Sequence, residues 1–347
     1  MSETGSEALS ETIPVRPAHR FPTERLAQML GDGIGARLME VRQMRGGQSN
    51  PTFLLLTDRG EYVLRKQPPG TLLPSAHAVD REYRVLAALA GTEVPVPRPL
   101  LYGEDPTIIG TPFYVMERLR GRIFRTPTLK ELEPAARRPI YLAMADTLAR
   151  LHRVDWAAQG LGDYGKPGNY FDRQIARWTR QWQGSRTRAN PSIDRLAEWL
   201  PAHIPTGDQV SLCHGDFRLD NMVFHPTEPR VIGLLDWELS TLGHPLADLA
   251  YNCIPYVTAS AHNGLADLDL AAQGLPDQAE YVAAYAARGG VREPLQPFHL
   301  AFSLFRLAVI LEGVLARAQA GNASNAEAGL VGARGITLAD SAWHLVQ

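Results

Sequence analysis

Lysine and cysteine are the residue types that this sequence lacks most clearly. Lys66, Lys130 and Lys166 are the only lysines among 35 basic residues, so arginine supplies nearly all of the positive charge. The two cysteines, Cys213 and Cys253, are too few for a disulfide framework and belong to no CxxC or Cys/His cluster of the kind that binds zinc. The low cysteine content predicts a cytoplasmic protein. Because lysine is so rare, a lysine at a chemically special position is more indicative of function than usual.

The sequence also has a small net charge, no runs of basic residues and no long uninterrupted apolar run. The formal net charge is −2, and no Lys/Arg run resembles a nucleic-acid-binding stripe, which argues against a nucleic-acid partner. The most apolar segment, residues 298–318, contains Arg306 and Glu312, so it predicts a buried helix rather than a membrane span. Residues 1–20 are acidic and rich in Ser and Thr, and we predict a disordered lead-in there.

Hydrophobic periodicity divides the rest of the chain into a strand-rich part and a helix-rich part. In residues 21–119 five strands are predicted, at RLMEVRQM, PTFLLLT, YVLRKQ, PLLYGE and PFYVMERL, with a helix around DREYRVL after the third. Residues 120–347 are predicted to be helical apart from three short strands, QVSLC, NMVFH and RVIGLLD. One of these helices is TLKELEPAARRPIYLAMADTLARLH, with Pro134 and Pro139 marking its early breaks.

Two segments, HGDFRLDN at residues 214–221 and LLDWE around Asp236, have the chemistry that phosphoryl transfer requires. A carboxylate must orient or deprotonate the attacking hydroxyl, and oxygen ligands must hold Mg²⁺ against the polyphosphate. Asp216 is the candidate base, and Asn221 and Asp236, at neighbouring ends of a predicted hairpin, are candidate magnesium ligands. The alternative is structural: Asp216 and Asn221 would stabilise a tight turn, and Asp236 would cap the next helix.

Together the two segments resemble the catalytic and metal loops of the aminoglycoside phosphotransferase and choline kinase family, which are relatives of the protein kinases. The resemblance implies a two-lobed α+β fold, with a five-stranded antiparallel N-lobe at 21–119 that binds nucleotide and a helical C-lobe at 120–347. It implies Asp216 as the catalytic base, Asn221 and Asp236 as magnesium ligands, and His214 as a residue that organises the loop. Glu238 would assist a second metal ion or only the loop.

A kinase also needs a lysine on its third strand and a glutamate on the following helix. Lys66 lies on the third predicted strand, and a compact ammonium suits a contact with phosphates. Glu82, in the following helix, is predicted to pair with Lys66, whereas the alternative carboxylate, Asp80, falls on another face. An exposed strand lysine and a solvated helix glutamate are each common, so the prediction rests on their joint position.

The loop RGGQSNPTF, between the first two predicted strands, fits a loop that covers the nucleotide phosphates, because its glycines let the backbone approach and its polar side chains can donate. Met116 is predicted to line the adenine pocket, and the backbone from Glu117 to Leu119 to bind the base edge. With ATP and Mg²⁺ as the implied cofactors, the predicted nucleotide-binding residues are Gly47, Gln48, Ser49, Asn50, Lys66, Met116, Glu117 and Leu119.

The run from GGQSNPTF through HGDFRLDN to LLDWELSTLGHPLADLAY resembles, more specifically, the kinase-like domain fused to some acyl-CoA dehydrogenases. This implies an ATP- and Mg-dependent small-molecule O-phosphotransferase whose acceptor is a hydroxylated acyl compound or its CoA ester. Residues 257–347 contain eight acidic and five basic residues, with the acidic ones dispersed, which disfavours a polycation. The alternatives are an aminoglycoside or amino-alcohol kinase and a nucleotide-binding pseudokinase. We expect no membrane partner, and a monomer or a homodimer.

Overall fold

The computed structural model describes residues 11–45, 50–70, 77–319 and 328–347, without the side chains of residues 328–331 and 333. The chain forms two compact units. Unit 1 contains Met1–Arg120 and Ile232–Glu238, and unit 2 contains Gly121–Val231 and Leu239–Gln347. The short segment Ile232–Glu238 therefore belongs with the N-terminal part of the chain although it lies far from it in sequence.

Unit 1 is built on a six-stranded antiparallel sheet of order β1-β2-β3-β4-β6-β5. Its strands are β1 (Thr12–Ile13), β2 (Leu38–Met44), β3 (Thr52–Thr57), β4 (Gly60–Lys66), β5 (Pro99–Gly103) and β6 (Phe113–Glu117). The last five are the predicted strands. The sixth, β1, pairs with the end of β2, so this part of the predicted disordered lead-in is ordered.

Three helices accompany this sheet among the described residues of unit 1: α1 (Glu24–Ile34), α2 (Val79–Leu89) and α3 (Pro106–Ile109). Leu26 and Leu30 lie one helical turn apart on α1 and pack with Phe53 and Leu64 of the sheet in one fully buried cluster. Gly35 caps the C-terminus of helix α1, and its φ of 65° is the left-handed conformation that glycine adopts without strain.

Unit 2 is mainly helical. Its described helices of eight residues or more are α4 (Pro134–His152), α5 (Tyr170–Ser185), α6 (Pro191–Ala202), α7 (Pro245–Asn252), α8 (Gln278–Ala287), α9 (Pro297–Gln319) and α10 (Ala328–His344). The prediction of a helix from residue 128 was wrong at its start, because α4 begins at Pro134, where a proline fits the first helical position. Pro139 does not break α4 but lies inside it.

Helix α9 forms the centre of unit 2. It is the one helix among the described residues that is long and apolar enough to cross a membrane, and 72% of its apolar window is buried inside the structure. Its side chains Phe302 and Phe305 pack in one buried cluster with Trp182 of α5, Ile193 of α6 and Leu338 of α10. This is the packing of a core helix, as the sequence predicted.

Four short strands carry the loops of interest. In unit 2, β7 (Ser211–Cys213) pairs antiparallel with β10 (Thr241–Gly243), and β8 (Met222–Phe224) leads into a turn closed by a hydrogen bond from His225 N to Arg230 O. Strand β9 (Val231–Leu234) follows that turn and ends two residues before Asp236. The loop between β7 and β8 contains the segment HGDFRLDN.

Candidate active site

The loop after β7 turns sharply at Gly215, which has a φ of 82°. A Cβ atom at this position would lie 2.4 Å from the carbonyl oxygen of Leu239, so both the backbone conformation and the space require glycine. Arg306 from helix α9 donates from Nη2 to the Gly215 carbonyl oxygen at 2.7 Å. The peptide immediately before Asp216 is thus held from a core helix.

The carboxylate of Asp216 accepts hydrogen bonds on both oxygens. Tyr251 donates its hydroxyl to Oδ1 at 2.7 Å, and Arg218 Nε lies 3.1 Å from the same oxygen. Asn221 Nδ2 donates to Oδ2 at 3.0 Å and to the Asp216 carbonyl oxygen at 2.9 Å. The side chain of Asp216 keeps 19% of its surface exposed, so it is oriented by neighbours yet accessible.

Asn221 is oriented by the same contacts. Because its Nδ2 makes both hydrogen bonds to Asp216, its amide oxygen has no hydrogen-bond partner among the described residues. An oriented amide oxygen beside a carboxylate is a donor set that Mg²⁺ accepts. The structural reading of Asn221, a turn-stabilising residue, is also satisfied by these bonds, so the geometry fits both roles.

Asp248, on helix α7, anchors the start of the loop. It accepts the backbone N–H of His214 at 2.5 Å and that of Gly215 at 2.9 Å, and His152 Nε2 lies 3.5 Å from its Oδ2. Burial raises the pKa of this carboxyl group, but the hydrogen bond and charge of His152, with His214 and the Gly215 N–H, outweigh it and hold the pKa below its usual value. The fully buried His214 in turn accepts the Asp216 N–H on Nδ1 at 3.3 Å.

In unit 1 the buried carboxylate of Glu82 is the centre of a second polar cluster. Arg65 Nε lies 3.2 Å from Glu82 Oε2, and Tyr114 OH donates to the same oxygen at 2.9 Å. Asn50 Nδ2 donates to Oε1 at 2.6 Å. Burial raises the pKa of Glu82, and the Arg65 guanidinium and these hydrogen bonds oppose that rise.

Arg65 also reaches Asp236, its Nη2 lying 3.1 Å from Asp236 Oδ1. Burial lowers the pKa of the guanidinium, but the negative charges of Glu82 and Asp236 outweigh this and raise it, so Arg65 stays charged. Asp236 has a φ of 67°, a conformation that short polar side chains tolerate, and its side chain is 34% exposed. Its carboxylate is thus fixed by Arg65 and open enough to bind a cation.

The predicted pair between Lys66 and Glu82 is wrong, because the structure pairs Glu82 with Arg65. Successive side chains on a strand point to opposite faces, so Arg65 and Lys66 of β4 cannot both face α2. Lys66 Nζ donates to the Ile109 carbonyl oxygen at 3.1 Å and lies 4.9 Å from the Phe21 ring centroid. Burial lowers the pKa of Lys66.

The other predicted nucleotide-binding residues lie in two places. Gly47, Gln48 and Ser49 lie outside the described residues, whereas Asn50 is fully buried against Glu82. At the end of β6, Met116 is buried. The Glu117 backbone N–H is already used, since it donates to Arg98 O at 3.0 Å. The base-edge contact of the backbone from Glu117 to Leu119 stays a prediction.

Several residues of these two clusters escaped the sequence analysis. Tyr114, Asp248 and Tyr251 lie on elements far along the chain from the groups they contact, so no local pattern indicated them. Arg65 was adjacent to the predicted residue, and only the facing side of β4 could distinguish the two. Arg306 was noted as a charge within an apolar helix, which is the usual sign of a buried partner.

Comparison with known proteins gives a consistent result. The model of the family described as "Phosphotransferase enzyme family" matches residues 40–298. A crystal structure from Ralstonia eutropha JMP134, provisionally described as an aminoglycoside phosphotransferase, is 46% identical with a TM-score of 0.86, over 94% of this chain and 98% of that one. Macrolide 2′-phosphotransferase type I, at 20% identity, has a TM-score of 0.61 over 92% of this chain and 97% of that one. These likenesses confirm the predicted protein-kinase-like α+β fold.

Longer curated proteins contain a similar segment. Acyl-CoA dehydrogenase family member 10 of Mus musculus is 45% identical over 341 residues, which are 96% of this chain and 32% of that protein. Acyl-CoA dehydrogenase family member 11 of Homo sapiens is 41% identical over 92% of this chain and 42% of that protein. This chain therefore spans about a third to two fifths of the length of these relatives.

Proposed function

The chain belongs to the phosphotransferase enzyme family, and we propose that it transfers the γ-phosphoryl group of ATP, with Mg²⁺, to a hydroxyl group of a small molecule. The observation that carries this proposal is the Asp216 carboxylate, held on both oxygens by Tyr251, Arg218 and Asn221. Such a carboxylate can accept the proton of an attacking hydroxyl, as the reaction requires. The placement of the protein in the cytoplasm, as a monomer or homodimer, stays a prediction.

In the proposed reaction the acceptor oxygen forms a bond to the γ-phosphorus and the bond to the leaving oxygen of ADP breaks. The acceptor proton passes to Asp216. Asn221 and Asp236 are the proposed magnesium ligands, and a bound ion would neutralise charge on the phosphate oxygens. His214 and Asp248 position the loop through its backbone, because they fix the N–H groups on either side of Gly215.

We propose that Arg65, rather than Lys66, contacts the nucleotide phosphates from unit 1. It is the charged residue that Glu82 and Asp236 hold in place, and its planar guanidinium suits phosphate oxygens. The nucleotide site would also include Asn50, the loop residues Gly47, Gln48 and Ser49, and the hinge from Met116 to Leu119. ATP is the proposed donor because the motif order is that of ATP-dependent kinases.

A hydroxylated acyl compound, free or as its CoA ester, is the proposed acceptor. The support is the likeness to acyl-CoA dehydrogenase family members 10 and 11, whose names point to acyl chemistry. An aminoglycoside is the rival, supported by the Ralstonia structure's description. The dispersed acidic residues of the C-terminal part favour the acyl compound, since a polycation needs clustered carboxylates.

The test is ADP release with Asp216→Ala and its wild-type parent. We expect the variant to lose at least about a hundredfold in kcat, because general-base catalysis contributes about 10² to 10⁴. ATP binding, measured by titration calorimetry, should persist, since the proposed nucleotide contacts from unit 1 are unchanged. Equal turnover by the two proteins would remove Asp216 from the mechanism and with it the proposed reaction.

A further inference from the structure

Unit 2 contains a cavity of about 310 Å³ beside the Asp216 loop. Tyr251 and Arg218, the two residues that contact Asp216 Oδ1, both line it. The cavity therefore adjoins the proposed base through shared walls within one unit. A volume of this size lies at the small end of ligand-binding pockets.

Most of the cavity wall is apolar. Met144 of α4, Leu307 and Leu311 of α9 and Leu338 of α10 contribute aliphatic side chains, and Ile254 follows helix α7. A surface of this kind stabilises a bound hydrocarbon segment by removing it from water, and it offers a polycation no compensation for lost hydration. The body of a molecule that fits here is compact and apolar.

The charges in the wall are mainly positive. Three arginines, Arg125, Arg218 and Arg334, line the cavity, against one acid, Asp220. Arg218 already forms an ion pair with Asp220, Nη2 to Oδ2 at 3.2 Å, besides its contact with Asp216. Arg125 and Arg334 are then left as the uncompensated charges of the cavity.

Neither of these two arginines contacts a carboxylate among the residues that the structure describes. Arg334 donates from Nη2 to the carbonyl oxygen of His262, and its Nε is buried without a hydrogen-bond partner in the described part of the chain. Arg125 is exposed. With no carboxylate beside them among the described residues, the guanidinium groups of Arg125 and Arg334 would stabilise an anion bound in the cavity.

We propose that this cavity is the acceptor site, and that it takes a compact, largely apolar hydroxylated molecule with one anionic group, a carboxylate or a phosphate, bound by Arg125 and Arg334. This inference rests on the proposed phosphotransferase function and narrows its acceptor. The volume has no room for a whole CoA thioester, so such an ester would leave its nucleotide part outside. The charge excludes aminoglycosides as good acceptors.

The test compares matched acceptors in wild-type protein and three variants. The acceptors are short-chain hydroxy acids, their neutral methyl esters, their phosphate-bearing counterparts, their CoA thioesters and an aminoglycoside. The variants are Arg125→Gln, Arg334→Gln and the control Arg292→Gln. Arg292 is an exposed arginine of unit 2 that does not line the cavity and has no side-chain hydrogen bond or ion pair among the described residues.

Each of the two cavity variants should lower kcat/KM for the anionic acceptor about ten- to hundredfold, which corresponds to the loss of one hydrogen bond to a charged group. For the methyl ester, kcat/KM should change less than about twofold in these variants. Arg292→Gln should leave kcat/KM for both the anionic acceptor and the methyl ester unchanged. Whichever of the carboxylate and phosphate series is turned over faster identifies the anion. Because Arg125 is exposed, its replacement keeps the test valid even if Arg334→Gln fails to fold.

Three results would overturn the inference. These are equal turnover of acid and ester, equal losses on both in the arginine variants, and an aminoglycoside as the best acceptor. Absence of turnover with every anionic compound would also overturn it. The proposed function would survive that last result if ADP release with another acceptor still depended on Asp216, so the two failures are distinguishable.

Discussion

At the scale of single residues, Glu82 shows what could and could not be predicted from the sequence, because its partner is Arg65 and not the predicted Lys66. The motif order HGDxxxxN and the following LLDWE correctly indicated the family, and Glu82 is buried in a polar cluster as a functional glutamate would be. The scarcity of lysine suggested Lys66, but the partner of Glu82 depends on which face of β4 is turned toward α2. The orientation of a strand is set by tertiary structure, and here it is the side chain of Arg65 that points toward Glu82.

Replacement of Arg65 tests this assignment, with Lys66→Met as the matched control one position away. We expect Arg65→Met to lower kcat/KM for ATP about a hundredfold or more, a usual cost of removing one preorganised charge-stabilising donor. Lys66→Met should stay within about threefold, because Lys66 bonds to the Ile109 carbonyl oxygen and contacts neither Glu82 nor Asp236. Steady-state kinetics with varied ATP measures both.

Arg65→Met also leaves the buried Glu82 without its counter-ion, which costs roughly 3–5 kcal/mol of stability. The kinetics must therefore be normalised to the folded fraction, measured by circular dichroism. If Lys66→Met lost ATP turnover and Arg65→Met retained it, the lysine would be the phosphate ligand after all and the sequence-based prediction would stand.

At the scale of elements, the longer helices and strands followed from periodicity, while their ends and the shortest elements did not. The predicted strand segments became β2 to β9, and the apolar segment became α9. Helix α4 begins six residues later than predicted. Strands β1 and β10 were missed, because strands of two or three residues carry no recognisable pattern. The pairing of β1 with β2 is a tertiary contact that the composition of the lead-in could not reveal.

Helix α9 carries a buried histidine near its start, and this gives the protein an acid-sensitive element. His299 is 2% exposed, lies among the rings of Phe171 and Phe298, and accepts the Gln296 N–H on Nδ1 at 3.0 Å. Burial, with the nearby His244, lowers the pKa of His299 to about 4. The unfolded chain has the ordinary value of about 6.5.

Between these two values the unfolded chain binds a proton that the folded protein does not. Stability is therefore lost as the pH falls from about 6.5 toward 4, and one group with this shift contributes a loss of about 3 kcal/mol. In His299→Asn, whose Oδ1 can still accept the Gln296 N–H, we expect a shallower loss. The measurement is the free energy of unfolding in urea at a series of pH values.

The slope of the unfolding free energy against pH should not vanish in His299→Asn, because burial also lowers the pKa of His244. An unchanged slope would show that His299 has the same pKa in the folded protein as in the unfolded chain, contrary to its burial among aromatic rings. A combined His244 and His299 replacement should reduce the slope further.

At the scale of the whole molecule, unit 1 is made of two separate stretches of the chain, so a single boundary does not describe it. The sequence predicted one division near residue 120, whereas unit 1 also takes Ile232–Glu238. That segment donates from Leu234 N to Pro95 O at 2.8 Å, contributes Asp236 to Arg65, and approaches Leu119 closely at Gly233. The two parts of unit 1, Met1–Arg120 and Ile232–Glu238, therefore contact each other across a long stretch of sequence. No local sequence pattern could have indicated this.

This division predicts that residues 11–120 alone are an incomplete folding unit. We expect that appending residues 231–239 through a long Gly/Ser linker raises the free energy of unfolding by about 1–3 kcal/mol, from the hydrogen bond to Pro95 and the ion pair with Arg65. Urea denaturation of the two fragments measures the difference, and the linked fragment with Asp236→Asn isolates the ion pair. Equal midpoints for all three would mean that Ile232–Glu238 does not stabilise unit 1, since the linker itself contributes no contacts.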